Sequence, residues 1–222
     1  MLSEPKGKRL EKEIERLKMM RGYEASFPGM LIAGIDEAGR GPLAGPVVAG
    51  CCILPEDCTI YYLNDSKKVS AERREALLPE IMEKATAFGY GTASEKRIDE
   101  INILNATYEA MRDAICMAEK QLAEKGLPAP DILLNDAVTI PDVNIRQVPI
   151  IHGDAKSVSV AAASIIAKVT RDHMMLEYDK IYPEYGFGRH KGYGTKEHIA
   201  ALREYGPCPI HRRSFIGHFV SL

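Results

Sequence analysis

The chain has 222 residues, enough for one large domain or for one domain with a small appendage. Its hydrophobic content of 45% can fill a core, and its formal net charge of −2 argues against a protein that coats nucleic acid by charge alone. Basic residues nevertheless concentrate at both ends, with seven Lys or Arg against four Asp or Glu in residues 1–22 and six against two in residues 186–222. This distribution allows a localised phosphate-binding surface, although solvated surface charge explains it equally well.

The cysteines and the apolar runs bear on where the protein works. The five cysteines are odd in number and form no CxxC pair, and Cys51 and Cys52 lie in an apolar run typical of buried free thiols. The N-terminus is too polar for a signal peptide, and the longest apolar stretch (43–54) is too short to span a bilayer. We therefore expect a cytoplasmic protein without membrane association.

The first elements in chain order are a helix and two strands. Helical spacing of apolar residues predicts a short amphipathic helix within residues 5–21, defined by Leu10, Ile14 and Leu17. Pro28-Gly29 then reads as a linker, so residues 1–28 are expected to be a helical appendage to a catalytic domain in residues 29–222. Apolar runs predict a strand at 31–35 and a fully buried strand at 47–54, separated by a turn rich in glycine and proline.

Helices and strands then alternate. Ser70 is a plausible N-cap for a helix that ends near Lys84. The clearest helical spacing runs from Leu104 to Leu122, and an alanine-rich helix (157–181) and a last helix between Thr195 and Gly206 follow further on. Short strands are predicted at 88–92, 132–134 and 147–151. This order predicts an α/β domain with a mixed sheet, in which strand 132–134 returns beside the first strand.

Two acids, Asp36 and Glu37, stand where the first strand gives way to glycines. Side chains alternate along a strand, so both can face one way only if the backbone breaks there, and we expect Ala38-Gly39 to supply that break. Taken alone, such a pair is explained as readily by a turn cap.

Further acids are predicted to join this pair. Asp136 follows strand 132–134, and it meets Asp36 if the two strands are parallel neighbours. Asp154 is a fourth candidate, with an ordinary acid at a helix N-terminus as the alternative. Converging carboxylates repel one another unless a cation neutralises them, and their hard oxygens suit Mg²⁺ or Mn²⁺. The sequence has no HExxH pattern, which argues against a zinc site. Two hard cations held together by these acids would activate a water and stabilise the leaving oxygen in phosphodiester cleavage, but spacing alone does not decide this.

The motifs around these acids resemble those of the ribonuclease HII (type 2 ribonuclease H) family. The resemblance covers about residues 31–217 in collinear order, and its most specific run extends from Gly34 to Val47. The other matching segments are Asn64–Lys68, Ile101–Leu104, Ala162–Asp172, His190–Thr195 and His211–Phe215.

The resemblance implies a ribonuclease H-like mixed sheet flanked by helices, with a helical C-terminal part. It implies an endoribonuclease that uses Mg²⁺ or Mn²⁺, cuts the RNA strand of RNA–DNA hybrids, nicks 5′ of single ribonucleotides in duplex DNA, and leaves 5′-phosphate and 3′-hydroxyl ends. Asp36, Glu37 and Asp136 match the family's metal-binding acids, and Asp154 matches its fourth active-site carboxylate. We expect a monomer, and the sequence does not reveal whether a replication or repair partner recruits it.

Substrate-binding residues follow from the same resemblance. Gly39-Arg40-Gly41 matches the family's ribose reader, and Tyr193 matches the tyrosine that packs on the neighbouring deoxyribose. Candidate phosphate contacts, each equally explicable as an ion-pair partner, are Lys67, Lys68, Lys168 and Arg171. The histidines at 190, 198 and 211 are taken as structural or phosphate-adjacent. One departure is Ala137, which stands where the family usually has glycine, next to Asn135 in place of an apolar residue.

Two alternatives remain open at this point. A type 3 ribonuclease H shares the carboxylates but usually carries a larger N-terminal domain and a different ribose-reading segment. A non-catalytic hybrid-binding module on the same scaffold would gain nothing from an acidic cluster that repels phosphate. Both are less consistent with the motifs than a type 2 ribonuclease H.

Overall fold

A computed structural model describes residues 4–220 and confirms the mixed α/β architecture. Within these residues one five-stranded sheet has the order β3-β2-β1-β4-β5. Its strands are β1 (Ile32–Ala38), β2 (Val47–Ile53), β3 (Ala87–Ala93), β4 (Ile132–Asp136) and β5 (Arg146–Ile150). β4 runs parallel to β1 and to β5, whereas β2 is antiparallel to β1 and β3. β1 and β4 therefore end at the same edge of the sheet.

Helices surround this sheet on both faces and at one end. In residues 4–220 they are α1 (Lys8–Met20), α2 (Ala71–Lys84), α3 (Glu95–Glu124), α4 (Val158–Ile181), α5 (Phe187–His190), α6 (Lys196–Tyr205) and α7 (Arg213–Ile216). The helix that ends before Gly206 was expected to be the last, but the short α7 follows it. Across the described chain, no helix combines the length and apolar character that crossing a membrane requires.

α4 lies unusually close to one face of the sheet. A Cβ atom at Gly34 would be 2.1 Å from the carbonyl carbon of Ser159, and one at Gly50 would be 2.3 Å from the carbonyl oxygen of Ala163. Because glycine has no Cβ, the helix backbone can rest directly on β1 and β2. The buried alanines of α4 make the same close approach possible from the helix side.

α3 covers the opposite face, where it packs against Ile35 of β1. It begins about ten residues earlier than the apolar spacing indicates, because Ser94 caps it by accepting a hydrogen bond from the Arg97 N–H. Asn102 breaks the helix with φ 68° and ψ 164°, and its Oδ1 accepts from the N–H groups of Leu104 and Asn105. The predicted helix is thus the second of two segments, with Asn102 capping its start.

The described part of the N-terminal segment, residues 4–28, is anchored to the rest of the chain. Leu17 and Met20 of α1 are buried in the core beneath α4. Oε1 of Glu24 accepts hydrogen bonds from the Ser157 hydroxyl at 2.6 Å and from the Ser159 N–H at 3.0 Å. This segment therefore packs against the beginning of α4.

The C-terminal helices enclose the segment between β1 and β2. Leu43 packs with Leu202 of α6 and Ile216 of α7, and Ala44 packs with Phe187 of α5. The helical C-terminal part expected from the sequence therefore supports the glycine-rich turn that follows the two acids of β1.

Candidate active site

Three carboxylates from distant parts of the chain lie together at the edge where β1 and β4 end. They belong to Asp36 of β1, Asp136 at the end of β4, and Asp154 in a 3-10 turn (Gly153–Ala155) before α4. One oxygen from each lies within 4.8 Å of the oxygens of the other two. Asp36 and Asp154 are each only 4% exposed. The structure thus brings together three of the four acids singled out from the sequence.

Backbone N–H groups hold two of these carboxylates in place. Oδ1 of Asp36 accepts from the Glu37 N–H, and Oδ1 of Asp136 accepts from the Gly153 N–H, both at 2.7 Å. The turn after Asp136 puts Ala137 in the left-handed region at φ 55°, and its N–H donates to the carbonyl group of Ile150. Ala137 thus adopts a backbone conformation that glycine adopts without strain.

Glu37 lies beside this group rather than within it. β1 continues through Ala38 and pairs Glu37 with Ala49, so the expected break between the acids does not occur. By strand alternation Glu37 shares the α3 face with Ile35, while Asp36 shares the α4 face with Gly34. One oxygen of Glu37, Oε1, lies 3.4 Å from Nη1 of Arg40, and the buried Oε2 has no hydrogen-bond partner among residues 4–220.

Burial and mutual repulsion raise the pKa values of these acids. Burial, followed by the charges of Glu37 and Asp136, raises the pKa of Asp36 well above its usual value. Burial also raises the pKa of Glu37, against the opposing effect of Arg40. For Asp154, burial and then the charges of Asp65 and Asp136 raise the pKa to about 6. Such a cluster is stable when a cation neutralises it.

Asp65 is a neighbour of the cluster to which sequence reasoning gave no role. It is buried, and its charge is one of the causes that raise the pKa of Asp154. Two residues further, Nζ of Lys67 lies 3.9 Å from Oδ2 of Asp154 on a side chain that is 79% exposed. Only the resemblance marked the Asn64–Lys68 segment, because nothing in its local spacing shows that it folds against Asp154.

Two of the predicted phosphate contacts point inward. Arg171 is 1% exposed, and its guanidinium donates to the carbonyl groups of Pro46, Ala44 and Lys191. Nζ of Lys168 is 2.6 Å from Oδ1 of Asp172. Lys168 therefore forms an ion pair, which was the alternative to a phosphate contact. Neither position suits a phosphate contact, and Arg171 instead supports the segment that links β1 and β2.

Arg40, Gly41 and Tyr193 are exposed beside the acids, whereas Gly39 is buried. Gly39 has φ +97°, and a Cβ there would be 2.1 Å from Nε of Arg171. A Cβ at Gly41 would be 3.9 Å from Cε1 of Tyr193, whose side chain is 45% exposed. The exposed backbone at Gly41 therefore lies next to an aromatic ring.

The histidines take the structural role that the sequence left open. Nδ1 of His198 donates to the carbonyl group of Tyr193 at 2.9 Å, and Nε2 of His198 lies 3.0 Å from Nε2 of His211. Nδ1 of His211 in turn accepts from the Cys208 N–H. Burial lowers the pKa of His198 and of His211 to about 4, so both are neutral and hold the backbone at Tyr193.

A mixed sheet of this order, with a carboxylate cluster at the shared end of two parallel strands, defines a nuclease of the ribonuclease H-like class. Residues 33–218 match the family model described as ribonuclease HII. The chain belongs to the ribonuclease HII family. It is 59% identical over 214 residues to ribonuclease HII of Lachnoclostridium phytofermentans, covering 96% of this chain and 81% of that protein.

Two further comparisons agree. Ribonuclease HII of Caldanaerobacter subterraneus subsp. tengcongensis is 53% identical over 210 residues, covering 93% of this chain and 84% of that protein. The crystal structure of ribonuclease H2 from Pyrococcus horikoshii OT3 superposes with a TM-score of 0.65 at 26% identity, covering 87% of this chain and all of that one. The sequence match to the type 2 family favours that family over type 3.

Proposed function

We propose that the protein is an endoribonuclease that cuts the RNA strand of RNA–DNA hybrids and nicks duplex DNA on the 5′ side of a single ribonucleotide. The products carry 5′-phosphate and 3′-hydroxyl ends. The observation that carries this proposal is the carboxylate cluster of Asp36, Asp136 and Asp154 near the exposed residues Arg40 and Gly41. The carboxylate cluster suits a cation that acts on a phosphodiester, and the neighbouring backbone suits recognition of a sugar hydroxyl.

The donor set fits hard divalent cations. Asp36, Asp136 and Asp154 offer carboxylate oxygens within 4.8 Å of one another, and the partnerless Oε2 of Glu37 is a further buried oxygen next to them. These four residues would hold Mg²⁺ or Mn²⁺, which prefer oxygen ligands. When bound, one or two such ions supply Lewis-acid polarisation of the phosphate and lower the pKa of a bound water.

The chain's own residues bind and orient the substrate in this proposal. Lys67, exposed and 3.9 Å from Asp154, is placed to contact the phosphate that approaches the acids. The side chain of Arg40 stays beside Glu37, so the neighbouring backbone can face the ribose. Tyr193 offers its ring to the adjacent sugar and helps to distinguish an RNA–DNA junction.

A non-catalytic hybrid-binding module is the less favoured alternative. Buried acids with raised pKa values cost folding free energy, and a surface that only binds phosphate gains nothing from them. We also infer that the enzyme works as a monomer in the cytoplasm, where its five free cysteines would stay reduced.

The test compares the wild-type protein with Asp36→Asn on three matched duplexes: DNA, DNA with one ribonucleotide, and RNA–DNA hybrid. We expect the wild type, with Mg²⁺ or Mn²⁺, to cut only the second and third. The substitution removes the charge of the central ligand, so cleavage should fall by at least about 10³-fold while duplex binding persists. Cleavage by Asp36→Asn near the wild-type rate would remove Asp36 from the metal site.

A further inference from the structure

The segment that follows the acids is held from behind by a buried arginine that lies near the C-terminus. Arg212 is 0% exposed, and each nitrogen of its guanidinium donates to a carbonyl group of the segment between β1 and β2. Nη2 donates to Gly39 at 2.6 Å, Nη1 to Arg40 at 3.0 Å, and Nε to Gly45 at 2.9 Å. A planar guanidinium with five N–H groups can bind several carbonyl groups at once, which an ammonium cannot do in the same geometry.

These hydrogen bonds determine the direction of two N–H groups. In a planar trans peptide the carbonyl oxygen and the N–H of the next residue point in opposite directions. Because the oxygens of Gly39 and Arg40 point inward to Arg212, the N–H groups of Arg40 and Gly41 point away from it. Arg40 and Gly41 are exposed, and within residues 4–220 neither N–H donates to a protein acceptor.

The charge of Arg212 is kept despite its burial. Burial lowers the pKa of Arg212 to about 9, so the guanidinium remains protonated at neutral pH. The second buried arginine, Arg171, holds Ala44, Pro46 and Lys191 instead, and therefore supports the other end of the same segment. Of these two arginines, only Arg212 donates hydrogen bonds to the carbonyl groups of Gly39 and Arg40.

We propose that Arg212 is a positioning residue for substrate selection, which presents the N–H groups of Arg40 and Gly41 to the 2′-hydroxyl side of a ribonucleotide. This inference rests on the proposed function and extends it to a residue 172 positions away from Arg40. Arg212 touches no substrate itself. Its effect is that two donors are already oriented before the nucleic acid arrives, so recognition costs less ordering of the backbone.

The experiment measures binding in the Asp36→Asn background, so that substrates stay intact. For each protein we take the ratio of its affinity for a duplex with one ribonucleotide to its affinity for the same duplex made only of DNA. This ratio is compared between Asp36→Asn and the double variant that also carries Arg212→Lys. Lysine keeps the charge, but its donors all lie on one nitrogen and cannot reproduce the planar spread of the three guanidinium nitrogens. We therefore expect the ratio to fall about fivefold to tenfold, the effect of one or two weakened hydrogen bonds. A matched control, Met111→Ala, opens a cavity under α3 away from this segment and should leave the ratio unchanged.

Two results would overturn the inference. One is a folded Arg212→Lys protein with an unchanged ratio, and the other is an equal loss of affinity for both duplexes. If Arg212→Lys does not fold, amide hydrogen exchange is measured instead in Asp36→Asn, which keeps Arg212. Arg40 and Gly41 should then exchange more slowly with the ribonucleotide duplex than with DNA, and equal protection would refute the proposal. A different result would contradict the proposed function itself: Asp36→Asn with Arg212 intact binds both duplexes equally well, and the wild type cuts neither.

Discussion

Nζ of Lys67 lies 3.9 Å from Oδ2 of Asp154, so an exposed cation faces one of the buried acids of the cluster. The charge of Lys67 lowers the pKa of Asp154, against the burial and the neighbouring acids that raise it to about 6. The two residues are 87 positions apart in the chain, and the contact links substrate binding to the protonation state of the site.

This contact leads to an expected pH dependence of metal binding. Protons compete with the cation for Asp154, so affinity for Mn²⁺ should fall as the pH drops through about 6. Lys67→Met should move this decline to higher pH, because it removes a charge that lowers the pKa. Isothermal titration between pH 5 and 8 measures the shift. Lys156→Met, which removes an exposed lysine two residues from Asp154, is the control, and a shift of equal size in both variants would contradict the role of Lys67.

The same pKa gives the metal-free protein an unusual stability profile. The pKa of Asp154 in the folded state, about 6, exceeds the unfolded value of 3.8, so the folded state binds more protons between these values. The contribution of Asp154 to the free energy of unfolding therefore becomes more favourable as the pH falls from about 6 toward 4 and is lost above 6. Urea unfolding of the chelated protein at pH 5 and pH 7 checks the sign, with Asp154→Asn expected to reduce the difference.

Metal binding should stabilise the fold strongly. A cation at 100 times its Kd adds about 2.7 kcal/mol, which raises the Tm of a chain of this size by about 5–10 °C. Asp36→Asn should raise the Tm of the metal-free protein, because it removes a buried acid with a raised pKa, and should abolish most of the response to metal. Thermal unfolding with chelator, Mg²⁺, Mn²⁺ and Zn²⁺ tests this. Recovery of nuclease activity with Zn²⁺ alone would refute the hard-ligand argument.

Tyr193 should matter most where RNA meets DNA. Tyr193→Ala removes an exposed ring next to Gly41, and we expect about a tenfold greater loss in kcat/KM on a single ribonucleotide than within a long hybrid. Tyr193→Phe should keep most of the activity, since the ring makes the packing contact. Tyr205→Ala, at a tyrosine of similar exposure on α6, is the control. Equal losses on both substrates would argue against junction sensing.

Replacing Ala137 by glycine should stabilise the protein. It has φ 55°, where an L side chain costs about 1 kcal/mol that glycine does not, so Ala137→Gly should raise the free energy of unfolding by up to about 1 kcal/mol. Gly126→Ala provides the opposite test, because Gly126 has φ +70° and open space around it, so only the backbone conformation is changed. It should lose about 1 kcal/mol in the same unfolding assay. A destabilised Ala137→Gly protein would show that the strain is absorbed elsewhere.

The parts of the fold that follow from local patterns could be predicted from the sequence. Ser70 does cap α2, β2 is buried throughout, and the alanines of α4 do allow close packing. The first segment of α3 could not be predicted, since Ile98 is its one fully buried apolar side chain before the break at Asn102. Periodicity is visible only where a helix buries a continuous stripe.

The limits at the site have a different cause. The acids could be identified because carboxylates at strand ends are conspicuous in a sequence. Which face of the sheet Asp36 and Glu37 point to, however, depends on where β1 ends, and β1 continues one residue beyond Glu37. Arg171 bonds the carbonyl group of Pro46, and Arg212 bonds that of Arg40, each across more than 120 residues of sequence. No spacing rule reports such distant partners, and an arginine between other basic residues looks like a surface residue.

The bare glycine backbone beneath α4 has a mechanical consequence. At Gly34 and Gly50 there is no side chain that could rotate to absorb a displacement of the helix, so α4 and the central strands must move as one body. Asp154 lies in the 3-10 turn that leads into that helix, and Asp36 lies on the strand below it, so main-chain contact restrains the two elements that carry these acids. Thermal motion and long-range strain should therefore alter the spacing of these two carboxylates very little.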